Sequence, residues 1–136
     1  MKIQIKEISY YDTWSIRHQV MWPDKNINYI KLTNDDEGKH FGLFVGKKLV
    51  SVISLFTKQR KTQFRKFATL SEEQGKGYGA QLLNYIFSII EKSPVQVLWC
   101  NARKDKTSFY KTFGFIETDQ KFHKGGIEYI IMKVNL

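Results

Sequence analysis

At 136 residues the chain is long enough for one domain with a real core and too short for two. A hydrophobic share of 42% with 15% aromatics excludes a disordered chain, and only two prolines, Pro23 and Pro94, leave no proline-rich linker. The 22 Lys+Arg against 13 Asp+Glu give a net charge of +9, which suits nucleic acid, an anionic cofactor or a well-solvated surface. The basic residues are scattered, and their densest cluster, Lys58-Gln59-Arg60-Lys61, falls in a predicted turn, so nucleic acid is not the expected partner.

Met1 to Ile8 alternates apolar and polar residues as a first strand, Ile3 to Ile8, and lacks the continuous apolar stretch of a signal peptide. Nothing approaches the roughly 20 apolar residues of a membrane span, so no membrane association is expected. Trp14, Ile16 and Val20 suggest a helix from Tyr10 to about Val20, capped by Ser9 or Asp12 and ended at Trp22-Pro23-Asp24. The stretch from there to Gly38 is polar with scattered aliphatics. Phe41 to Val45 and Leu49 to Phe56 flank Gly46-Lys47-Lys48 as a hairpin, and a strand from Thr62 to Leu70 follows the basic turn.

A helix from about Lys76 to Glu91 carries Leu82, Leu83, Ile86, Phe87 and Ile90 on one face. Val95 to Cys100 reads as a buried strand. Asp105 or Thr107 caps a short helix through Phe113, with Gly114 as its stop. Phe115 to Thr118 and Ile127 to Val134 close the chain as a hairpin around Lys124-Gly125-Gly126. Cys100 is the only cysteine, which precludes an internal disulfide and fits a reducing cytoplasm. The element order implies an α+β domain spanning residues 1–136, with a mixed, mostly antiparallel sheet of six to seven strands flanked by helices. The hydrophobic C-terminal strands would support a homodimer, although nothing specifies one.

The segment Gln74-Gly75-Lys76-Gly77-Tyr78-Gly79-Ala80 joins a strand to a helix, an arrangement suited to holding phosphate on unpaired N–H groups. It is not a P-loop, because Lys76 lies between Gly75 and Gly79 and those glycines are four apart. It is not a dinucleotide fingerprint either, because Gly77 and Gly79 are two apart and no run of βαβ units surrounds them. A plain chain reversal does not require three glycines within five residues, each costing on the order of 1 kcal/mol in a helix start. A ligand or a tight packing contact is the expected reason.

Gln74 to Gly79 resembles the (Gln/Arg)-x-x-Gly-x-(Gly/Ala) signature of the GNAT superfamily of acetyl-CoA-dependent N-acetyltransferases. Phe67-Ala68-Thr69-Leu70 is similar to the fourth strand of that fold, Leu82-Leu83 to the start of its main helix, and Phe109-Tyr110-Lys111-Thr112-Phe113-Gly114-Phe115 to its Phe-Tyr-x-x-x-Gly-Phe motif. The resemblance covers about half the chain and implies a GNAT-like acyl-CoA N-acyltransferase fold. It further implies that the backbone of Gly75, Lys76, Gly77, Tyr78, Gly79 and Ala80, following Gln74, cradles the CoA pyrophosphate, with Lys76 adding charge. Ala68, Thr69 and Leu70 would run along the pantetheine arm in a gap between splayed strands. Asn101, just past the fifth strand, would bond the arm, hold the splay or simply end a strand.

The implied reaction is direct attack of a neutral primary amine on acetyl-CoA, with Tyr110 protonating the leaving thiolate; a core aromatic is the competing reading of Tyr110. No metal ligands are assigned. The general base stays unassigned among ordered water, His40, Glu72 and Glu73, because the fourth strand offers only Gln63, Arg65, Lys66 and Thr69. The acceptor site would draw on Tyr10–Gly38, the Thr57–Lys61 turn and the last hairpin around His123 to Gly126. Arg17, Arg65 and Lys66 would favour an acceptor with a carboxylate or phosphate, if they are not simply solvated. A non-catalytic CoA-binding or regulatory module is the alternative function.

Overall fold

Seven strands form one mixed sheet in the computed structural model, which describes residues 1–136. They are β1 (Ile3–Ile8), β2 (Lys39–Val45), β3 (Lys48–Lys58), β4 (Lys61–Thr69), β5 (Val97–Arg103), β6 (Ile116–Lys124) and β7 (Ile127–Asn135). Their spatial order is β1-β2-β3-β4-β5-β7-β6. Every neighbouring pair is antiparallel except β4–β5, which is parallel and needs a crossover between its strands. The crossover is helix α2 (Tyr78–Ile90), whose Leu82, Leu83, Ile86 and Ile90 are buried against the sheet while Phe87 is only half-buried. With Val50, Val52, Ile53, Leu98 and Met132 these residues make one continuous core. The α+β class and the mostly antiparallel sheet match the sequence expectation.

Three local differences matter. Instead of one helix from Tyr10 to Val20, a 3-10 turn (Tyr10–Thr13) leads into a single helical turn, α1 (Trp14–Ile16), and then a π turn (Arg17–Met21). Ser9 precedes the first turn but makes no side-chain cap bond. The π turn begins at Arg17, a cation with 0% exposure that reaches inward to Asp35 (3% exposed) in two N–H···O bonds of 2.9 Å each. Arg17 also donates to Ser54 Oγ at 2.9 Å and the Ile30 carbonyl at 3.2 Å. Trp14 and the Leu32 N–H complete the shell around Asp35. Arg17 is therefore neither solvated nor free for an acceptor.

Second, β5 runs through Asn101 to Arg103, so Asn101 is a strand residue opposite Ile131 rather than a turn. Third, β6 continues to Lys124, far beyond Thr118. It is a mostly exposed edge strand whose residues lack the apolar alternation of the buried strands. The long β6–β7 hairpin turns at Gly125 and Gly126, both at positive φ (59° and 78°), and carries its tip back toward the π turn. There the ring of Trp22 occupies the space a Cβ on Gly125 would need, 2.8 Å away.

Candidate active site

The decisive geometry is where β4 and β5 stop pairing. They are in register only at Lys61–Val97, Thr62–Leu98 and Gln63–Trp99, yet β4 continues to Thr69 and β5 to Arg103. Beyond Gln63 the strands diverge and a cleft of about 490 Å³ opens between them. A strand edge left unpaired inside a protein offers N–H and C=O groups to an extended ligand.

The glycine turn closes one end of this cleft. The first bond of α2 runs from the Gln81 N–H to the Gly77 carbonyl (3.0 Å), and the amides of Gly75 to Ala80 donate to no backbone carbonyl. Gly75 and Gly77 adopt φ of 80° and 83°, and a Cβ on either would meet no protein atom within 4 Å. They are thus glycine for conformation and for the open space before them, not for packing. Gly79 differs, because a Cβ there would touch Phe67 and Thr69 Oγ1, each at 3.4 Å. Free amides and the helix dipole together form an anion cradle facing the cleft.

The cleft is lined by Ala68, Thr69, Gln74, Gly75, Gly77, Tyr78, Gly79, Ala80, Asn101 and Tyr110, all singled out from sequence. Two expected residues stand elsewhere. Leu70 follows the end of β4; its side chain is buried in the core and its N–H donates to the Val50 carbonyl at 2.9 Å. Lys76 turns its exposed ammonium to Glu73 at 2.7 Å; Glu73 lines the cleft and Lys76 does not. The cleft lining includes Arg103 and Lys106 but not Lys76. The Gln74 side chain braces the turn by donating to the Thr69 carbonyl (2.9 Å). Asn101 has no side-chain partner in the chain, which leaves its amide available to a ligand.

Tyr110 sits on α3 (Thr107–Lys111), a short helix stopped by Gly114 at φ 92°. Its ring packs on Phe64, Phe109 and Phe115 at centroid distances of 5.6, 5.3 and 5.8 Å. The hydroxyl has no hydrogen-bond partner in the chain, and burial, then the nearby Cys100, pushes the phenol above its usual range. Burial pushes the Cys100 thiol up as well, so Cys100 is no nucleophile at neutral pH. His40 is excluded from the chemistry. It is 3% exposed and spends both ring nitrogens inside the fold, Nε2 donating to the Asp35 carbonyl (2.8 Å) and Nδ1 bonded to Ser54 Oγ (2.7 Å).

A β-bulge in β4 shapes the middle of the cleft. The β3–β4 register slips between Val52 and Ser54, and Lys66 takes φ 53°, a left-handed backbone that costs roughly 1–3 kcal/mol for a side chain other than glycine. The half-buried Lys66 ammonium is pushed down to about 8 by burial and by the charges of Arg65, Arg17 and Lys124, opposed only by Asp35. Phe64, Phe67, Phe109 and Tyr129 add apolar wall. Sequence reading missed this wall because its members come from β4, α3 and β7, which no local pattern joins.

The model of the GNAT acetyltransferase domain matches residues 15–136, nearly the whole chain. The chain belongs to the GNAT acetyltransferase family. It is 31% identical over 140 residues to the uncharacterized N-acetyltransferase YitI of Bacillus subtilis, covering 96% of this chain and 94% of that protein. The fold of this GNAT domain is similar to a putative N-acetyltransferase from Lactobacillus plantarum (TM-score 0.90, 16% identity, 100% and 99% of the two chains covered). It is also similar to the PaiA N-acetyltransferase of Thermoplasma acidophilum, solved in complex with coenzyme A (TM-score 0.78, 18% identity, 100% of both chains). Family membership makes the protein an acyltransferase.

Proposed function

We propose that this GNAT protein moves the acetyl group of acetyl-CoA directly to a primary amine in the β4–β5 cleft. The observation that carries the reading is the junction of two features: six unpaired amides at the start of α2 and an unpaired strand edge leading away from them. The amides suit the pyrophosphate, and the edge of β4 around Ala68 and Thr69, with Asn101 opposite, suits the amide-bearing pantetheine arm. The thioester would then lie near Tyr110.

Attack by the amine nitrogen forms a C–N bond and breaks the C–S bond; the amine loses a proton and the sulfur gains one. Tyr110 is the proton donor in this reading. Its own pKa is raised by burial, and burial disfavours a thiolate in the same place as well, the direction in which it also moves Cys100. A departing thiolate is therefore a stronger base here than in water, where thiol and phenol reference values are about 8.5 and 10. Glu73 is the only carboxylate at the cleft and is already paired with Lys76, so the amine's proton leaves through solvent. Holding amine and thioester together contributes the larger share, up to about 7–11 kcal/mol for well-oriented reactants.

The lack of a free carboxylate or imidazole at the cleft also favours a second reading, a CoA-binding module without turnover. Thermal unfolding with acetyl-CoA, followed by thiol release in the presence of mixed amines, tests both. Stabilisation plus thiol release is expected. Stabilisation with the thioester intact supports the module, and an unmoved melting temperature contradicts both readings.

A further inference from the structure

A second, smaller cavity of about 90 Å³ joins the cleft where β4 bulges, sharing Arg65, Lys66, Asn101 and Tyr129 with it. By the same kind of measure a single water needs about 10–15 Å³, so the cavity has room for a small polar group and its neighbours. Its position beside the β4–β5 opening is where an acceptor would approach the thioester.

The lining of this cavity is one-sided in charge. It includes Arg65, Lys66 and Lys124 and no Asp or Glu. None of the three cations takes part in an ion pair or a side-chain hydrogen bond, although Arg65 and Lys66 are half-buried. The one carboxylate that acts on both Arg65 and Lys66, Asp35, is already held by Arg17. In a regular strand Arg65 and Lys66 would point to opposite faces; the bulge, with Lys66 at φ 53°, lets both border the same cavity. The backbone thus carries strain at the place where like charges are gathered without a counter-ion.

Aromatic walls flank the cations. Phe122 and Tyr129 stack at 5.1 Å across the β6–β7 hairpin, and Trp22, seated over Gly125, faces them from the end of the π turn. We propose that this cavity is the acceptor subsite and that it takes a primary amine which also carries a compact oxyanion, a carboxylate or a phosphate-type group, next to a flat apolar body. The proposal rests on the acetyl-transfer reading above and names its substrate class.

The same cations have a second effect. They repel polyvalent cationic amines, and they lower the pKa of an acceptor ammonium, favouring the neutral nucleophile in a site with no free carboxylate or imidazole. Lys66 is well suited to an anion partner: its charged form is disfavoured by burial and by Arg65, Arg17 and Lys124, with only Asp35 opposing, and a bound oxyanion reverses that balance.

The test is thiol release from acetyl-CoA with phenylalanine, phenylalaninamide, 2-aminoethylphosphonate and spermidine, on the whole protein and on its Lys124→Gln and Lys66→Gln variants. The expected result is a kcat/KM for phenylalanine or the phosphonate at least about 10-fold above the amide and spermidine, with the preferred member telling carboxylate from phosphate-type recognition. Lys124 is exposed at a hairpin tip, so Lys124→Gln keeps the fold and is expected to shrink the anion-to-amide ratio several-fold. Turnover of the amide or spermidine at or above the anionic amines overturns the subsite and leaves acetyl transfer standing. No turnover with any of the four overturns the subsite, and thiol release with the mixed amines then decides whether acetyl transfer stands.

Discussion

Two groups of basic residues lie close enough to feel each other's charge, and they have opposite solutions. Arg17 is fully buried, bonded by both terminal nitrogens to Asp35 and backed by Ser54; only its Nε lacks a partner. Arg65, Lys66 and Lys124 are half-buried or exposed and have no partner. The first group ties the π turn to the 3-10 turn at Asp35–Glu37 and to β3, and so sets the wall of the cleft formed by Val20 and Met21. The second leaves its charge unanswered at the mouth of that cleft. A buried cation held by its own carboxylate is architecture; cations gathered without one await a ligand.

The largest expected difference between the groups is in stability. Asp35→Ala leaves the Arg17 guanidinium buried and unpaired and should cost about 3–5 kcal/mol, read as a fall in the urea midpoint. A loss under about 1 kcal/mol would mean that the pair is not structural.

Next in size is catalysis. Tyr110→Phe keeps the ring packing on Phe64 and Phe115 and removes only the hydroxyl. It should lower kcat about 100-fold with little change in acetyl-CoA affinity, within the usual range for a lost proton donor. Unchanged kcat would return Tyr110 to a purely packing role.

The two groups should also respond to pH in separate windows. Burial alone would raise the Asp35 carboxyl, but hydrogen bonds from Arg17, the Leu32 N–H and Trp14, with the Arg17 charge, outweigh it and hold the group below its usual value. The stability it contributes is present above about pH 4, the unfolded carboxyl value, and is lost as pH falls through its lower folded value. Lys66 is also depressed, to about 8, so its linkage has the same sign but falls in a higher window. Between about pH 8 and the unfolded lysine value near 10.4 the unfolded chain holds the extra proton, so the Lys66 contribution to stability rises with pH. Comparing wild type with Lys66→Met across that range isolates it from the other lysines. The KM for an anionic amine should rise over the same window as Lys66 loses its charge.

The smallest expected effect is the stability of Lys124→Gln, within about 0.5 kcal/mol of wild type. A loss comparable to that of Asp35→Ala would erase the distinction between the two groups.

The legibility of the chain follows the same division. The donor half could be read because its requirements are local: positive φ at Gly75 and Gly77, free amides and a helix start sit within a few residues. The Phe109-to-Phe115 motif is equally compact. The acceptor half is legible only as separate pieces, the Tyr10–Gly38 segment, Arg65 and Lys66, and the hairpin around His123 to Gly126. The reason is that Trp22, Arg65, Phe122 and Tyr129 meet only through the long β6–β7 hairpin, and β6 is an edge strand without apolar alternation. The expected helix from Tyr10 to Val20 failed for a related reason. An arginine read alone is a surface residue, and nothing near Arg17 announces a carboxylate 18 residues away. The expected helix start at Lys76 is two residues early, because Gly77 at φ 83° caps α2 and the helix begins at Tyr78.

In the proposed complex the pyrophosphate of acetyl-CoA lies on the start of α2. Titration of the ¹⁵N-labelled protein with acetyl-CoA tests it most directly. The amide resonances of Gly75, Gly77, Tyr78, Gly79 and Ala80 are expected to shift most, together with those of β4 beyond Gln63. Shifts confined to other surfaces, with these amides unmoved at saturating acetyl-CoA, would contradict it.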